Sequence, residues 1–162
     1  MNLSQTDIQH SSPRQLLQRA YVLMSFGFIE EALDACDEAA RRAEEPDDEV
    51  TAHSVKGAML SASGRPKEAM RELIGLRRKY GEAILPALYL AEACFLAGRS
   101  RRAYKILDGL DQEQLGRSPY VEFAAQLRTT WESLGELDGL PDPLTVPFDV
   151  DADEHSRHGN SH

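Results

Sequence analysis

Only two cysteines and one tryptophan occur in 162 residues, and no apolar run approaches the length of a membrane span. Two cysteines exclude a disulfide framework. Cys36 and Cys94 both fall in phase with apolar neighbours and read as small core side chains. The N-terminus lacks a basic start followed by an apolar run, so no secretory signal is expected and a cytoplasmic location fits best. There is no Gly-x-Ser-x-Gly, no phosphate loop and no zinc-type cysteine spacing. No catalytic residue, cofactor or metal site is therefore expected. His53 stands alone, and His155, His158 and His162 lie in a polar terminal stretch. The paired acids Glu30-Glu31 and Asp47-Asp48 fall near helix starts, where the helix dipole favours them without any catalytic role.

A basic footprint is also missing. The formal charge is −9, which argues against nucleic acid as the main partner. That charge is unevenly spread. Residues 136–162 carry seven acids and one base, so the tail holds net −6 and the remainder only −3. Prolines at 141, 143 and 147 and a shortage of apolar residues make 136–162 an acidic disordered tail. Within it Leu144, Val146, Phe148 and Val150 alternate, as in an extended segment able to dock. Residues 1–11 are polar and aperiodic and read as a flexible arm. Arg99, Arg101, Arg102 and Lys105, with Arg77, Arg78 and Lys79, read as a solvated face or as a local positive patch for the acidic tail or an acidic partner.

What the chain does contain is a repeat. Ala20, Gly27 and Ala32 recur as Gly57, Gly64 and Ala69, and again as Ala91, Gly98 and Ala103. A small residue, a turn glycine and an alanine thus return every 34 to 37 residues, the period of stacked helical hairpins. Two antiparallel helices cross closely only where side chains are small, so Ala20, Gly57 and Ala91 are expected to face Ala32, Ala69 and Ala103. Each glycine ends a first helix by taking the left-handed conformation. The predicted hairpins are about 13–44, 48–80 and 84–111 within a domain of 12–135. Glu44 to Asp48 is expected to be a linker. Ser118-Pro119 repeats the serine-cap and proline device of Ser12-Pro13 and opens a last helix, 118–134, with Tyr120, Phe123, Ala124, Leu127, Trp131 and Leu134 on one side. It reads as the cap that closes the last apolar face.

The pattern over residues 13–112 resembles the tetratricopeptide repeat, with Leu16, His53 and Ala87 where that family usually places a tryptophan. The resemblance implies an all-α, right-handed α-solenoid of three hairpins plus the capping helix, whose first helices line a concave groove. By the same resemblance the groove positions are Leu17, Tyr21 and Met24, then Thr51, Val55 and Ala58, then Leu85, Leu88, Tyr89, Glu92 and Phe95. The first helix of the third hairpin is apolar nearly all round, and Leu85, Leu88, Tyr89 and Phe95 look surplus to a one-sided core. A lasting apolar groove marks a partner site. The expected function is therefore non-enzymatic: binding an apolar peptide or amphipathic helix, unless the capping helix or a second copy of the chain fills the groove. The bases of the clamp by which some of these proteins hold chaperone C-termini are absent, since Leu17, Tyr21, Val55, Leu85 and Tyr89 occupy those places. Residues 86–103, with Ala91-Glu92-Ala93-Cys94 and the Gly98 to Ala103 spacing, are similar to the third repeat of the tetratricopeptide-type chaperones of bacterial type III secretion. Those are small, acidic cytosolic proteins that shield apolar segments of subunits before export. The alternative is a scaffold subunit of a larger assembly.

Overall fold

The computed structural model describes residues 10–136. The expected arm over residues 1–9, the expected tail over 137–162 and the histidines and alternating apolar residues within that tail lie outside the described residues. Eight helices and no strand occur among the described residues: α1 (Pro13–Ser25), α2 (Ile29–Arg42), α3 (Pro46–Ala62), α4 (Pro66–Lys79), α5 (Ile84–Leu96), α6 (Ser100–Asp108), α7 (Gln112–Arg117) and α8 (Val121–Glu136). The chain divides at Ala124 into two compact units.

The first helix starts where the sequence says it should. The Ser12 hydroxyl accepts the Gln15 amide at 3.2 Å, Gln15 Oε1 accepts the Ser12 amide at 2.9 Å, and Pro13 occupies the first helical position. Three hairpins follow, α1–α2, α3–α4 and α5–α6, each turned at a glycine with φ near +80° (Gly27, Gly64, Gly98). The turns are chemically identical. The amides of Phe28, Arg65 and Arg99 donate to the carbonyls of Leu23, Leu60 and Cys94 at 2.8–2.9 Å, and the glycine amides donate to Met24, Ser61 and Phe95. This is the Schellman arrangement, which satisfies carbonyls that a helix end leaves unpaired.

From α1 to α6 consecutive helices pack in chain order, and the first helices also pack on one another, α1 against α3 and α3 against α5. They therefore form one layer, with α2, α4 and α6 beside them. Ala20, Ala91, Ala32, Ala69 and Ala103 have no exposed surface. Gly57 is buried too, but its close neighbour is Leu73, one turn beyond Ala69. Cys36 and Cys94 are free and buried, and the Cys36 Sγ lies 3.7 Å from Met59 Sδ. Burial above all, then the charge of Asp37, pushes the Cys36 thiol up to about 12.

Element boundaries differ from expectation in three places. Pro46 belongs to α3 rather than to a linker, because proline is best tolerated in the first turn, and Asp47, Asp48 and Glu49 fill that turn without a side-chain cap. The short α7, capped by Asp111 on the amides of Glu113 and Gln114, was not expected. Its presence displaces the second serine-proline device. Ser118 ends α7, donating from Oγ to the Leu115 carbonyl at 2.7 Å, and α8 begins three residues later at Val121. Within α8, Ala124, Leu127 and Trp131 are the buried residues, at helical spacing.

Candidate functional site

The layer of first helices brings some of the expected groove residues to the surface and withdraws others. On α1, Tyr21 is 55% exposed, and Leu17 and Met24 are half-buried. On α3, Ala58 and Thr51 are half-buried, while Val55 is buried. On α5, Leu85, Tyr89, Glu92 and Phe95 are half-buried, and Leu88 is 0% exposed. Leu88 is thus not surplus to the core. The helix α5 packs against α3, α4 and α6, so it needs apolar residues around most of its circumference.

Tyr89 is also partly covered. Its ring meets that of Phe123, at the start of α8, with centroids 5.2 Å apart and planes tilted by 54°. Such tilted aromatic pairs are favourable beyond their buried area. Nothing in the local period of α5 signals this contact. It comes from a residue 34 positions later, brought there by α7.

The polar tips in this region share one electrostatic environment. Burial, followed by the nearby Tyr21, Glu92 and Tyr120, pushes the Tyr89 phenol up to about 12. Burial also raises the Glu92 carboxyl above the ordinary carboxylate value. No hydrogen bond or ion pair reaches the Glu92 side chain among the described residues. Glu92, half-buried and unpaired among the described residues, thus shares Tyr89 as a neighbour with Tyr21 of α1 and Tyr120 of the turn before α8.

Large apolar side chains are also exposed on the first hairpin. Val22 on α1, and Phe26 and Phe28 on either side of the Gly27 turn, present 55–75% of their surface. The sequence reading did not single out these phenylalanines, although two aromatics flanking a turn glycine are a readable signal.

A second depression, of about 640 Å³, opens between α2, α3 and α4. It is charged but self-neutralised. Lys56 Nζ lies 2.9 Å from Asp37 and 2.6 Å from Glu72, Arg65 pairs with Glu30 and Glu68 at 2.6 and 2.8 Å, and Lys79 pairs with Glu49 at 2.8 Å. His53 lines the same depression. No group of three His, Cys, Asp or Glu side chains among the described residues is placed to hold a metal ion, and no helix among them is long and apolar enough to cross a membrane.

Compared with protein-family models, curated proteins and solved structures, the chain matches none of them.

Proposed function

We propose that this chain is a non-enzymatic protein-interaction module, a right-handed helical solenoid of the tetratricopeptide kind, and that the layer formed by α1, α3 and α5 is its binding surface. The single observation that carries this reading is the unpaired, half-buried Glu92, which acts on Tyr89 as the exposed Tyr21 does. A carboxylate held in that setting without a partner is destabilising to the chain alone, and it is offset when a ligand supplies a cation. The partner is an apolar segment or amphipathic helix carrying a lysine or arginine. Its apolar side covers Leu17, Tyr21, Met24, Leu85 and Phe95, and its cation meets Glu92 and the tyrosine faces. Apolar burial contributes roughly 25 cal/mol per Å² before ordering costs.

In its specific form the module is a small cytoplasmic chaperone of the type III secretion kind, holding an apolar segment of an exported subunit. The alternative is a scaffold subunit of an assembly, which the exposed Phe26 and Phe28 at the first turn favour as a second contact point.

Purification of the full chain from its own cell tests the reading. One partner is expected in equimolar amount, lost from both Tyr21→Glu and Glu92→Lys while helicity by circular dichroism is unchanged. Retention of the partner by both variants contradicts it.

A further inference from the structure

Along one face the third hairpin departs from the second electrostatically. Registering the hairpins on Gly64 and Gly98 sets Arg102 where the second hairpin has Glu68, Ile106 where it has Glu72, and Leu90 where it has Lys56. The depression between α2 and α4 is neutralised by those very acids. Its counterpart between α4 and α6, of about 610 Å³, is lined by Arg77, Arg101, Arg102 and Lys105 with Leu90 and Ile106, and by no acid.

These bases are unrelieved. No ion pair or side-chain hydrogen bond reaches any of the four among the described residues, and the Arg77 Nε is buried without a hydrogen-bond partner. Asp108, the nearest acid along α6, lines a neighbouring depression that Arg101 and Lys105 also border, but it forms no ion pair with either. Burial raises the Cys94 thiol above its ordinary value, and the positive charges of Arg102, Arg99 and Arg77 act against that rise. Arg101 and Arg102 also stand in the first turn of α6, which contains no acid, whereas Glu30 and Glu31 open α2 and Glu68 opens α4. Cations at the positive end of a helix dipole are unfavourable. A chain of net charge −9 therefore concentrates unpaired positive charge at one apolar-floored cleft, where an anion would relieve it.

We propose that the cleft between α4 and α6 is a docking surface for an acidic peptide segment of a partner protein. Its carboxylates pair with Arg77, Arg101, Arg102 and Lys105, and its interleaved apolar side chains rest on Leu90 and Ile106. Only Leu90 of this surface comes from α5, and none of the residues assigned to partner contact on the α1–α3–α5 layer lines it, so the inference does not depend on the function assigned to that layer.

Fluorescence anisotropy of the full chain with a labelled peptide of alternating aspartate and valine tests this. Binding is expected, weakening steeply from about 50 to about 500 mM salt, and a lysine-valine peptide is expected not to bind. Arg101→Glu/Arg102→Glu reverses two exposed side chains and is expected to weaken binding at least about tenfold with a Tm that is not lowered, whereas Arg14→Glu on α1 is expected to leave binding unchanged. Absence of binding, survival of binding in the double variant, or an equal loss in Arg14→Glu overturns the proposal. So does tighter binding of a single-stranded oligonucleotide than of the acidic peptide.

Discussion

A Cβ placed on Gly57 would lie 2.7–2.8 Å from the Cγ, Cδ1 and Cδ2 atoms of Leu73, a distance that real Cβ atoms essentially never show. The second hairpin closes on this contact, and Leu73 has no exposed surface into which to retreat. Gly57→Ala is therefore expected to destabilise the protein by about 1–3 kcal/mol through overpacking. Gly75, in the interior of α4 with open space around its Cα, provides the contrast. Gly75→Ala is expected to stabilise by about 0.5–1 kcal/mol, since alanine is the better helix former. Urea denaturation of both variants checks the pair, and the opposite signs are the diagnostic feature.

Lys56 ties three helices together, reaching Asp37 on α2 and Glu72 on α4 from α3. Burial alone would lower its ammonium pKa, but the hydrogen bonds to Glu72 and Asp37 outweigh that and raise it. Lys56→Met keeps the aliphatic stem and removes the charge, leaving two partly exposed carboxylates near one another without their common cation. A loss of about 1–3 kcal/mol is expected, measured by thermal or chemical denaturation. It should shrink when Asp37 and Glu72 are changed to Asn and Gln in the same chain, because the repulsion is then removed.

Glu92 makes stability depend on pH in a definite direction. Burial raises its carboxyl in the folded chain above the value it has when unfolded. Between those two values the folded chain binds more protons, so this residue's contribution to stability falls as pH rises through that window and stays low above it. Glu92→Gln removes the penalty. The variant is expected to melt higher than the parent at neutral pH, with the difference closing as pH falls to about 4. Comparing the two proteins at each pH cancels the contribution of Glu38, Glu49 and Glu68. Their carboxyls are lowered by hydrogen bonds, chiefly from Arg42, Lys79 and Arg65 respectively, so they contribute stability that is lost on acidification. A variant melting lower than the parent at neutral pH would contradict the account.

The turns were legible because their cause is local. Gly27, Gly64 and Gly98 occupy the left-handed region, which favours glycine, and the alanines that recur with them are buried. The depth of Leu88 was not legible. A helix surrounded by three others has no polar face, so its period does not say which apolar residues remain at the surface. The covering of Tyr89 by Phe123 was hidden for a different reason. It depends on where α7 redirects the chain, and α7 is six residues long with one buried side chain, Leu115. The charge contrast between the two depressions was written in the sequence, at Glu68 and Arg102, but it has meaning only once the hairpins are stacked. The paired Glu30, Asp37 and Glu49 come from positions distant in the chain.

The central claim is that Glu92 and its tyrosines are kept for a cation on an apolar partner segment. Calorimetric titration of the full chain with an amphipathic leucine-alanine peptide bearing one lysine in its apolar face tests it most directly, when repeated with the glutamate version of the peptide and with Glu92→Lys. The account predicts a swap: the parent binds the lysine peptide and rejects the glutamate peptide, and Glu92→Lys does the reverse. Equal affinities across all four combinations would contradict it.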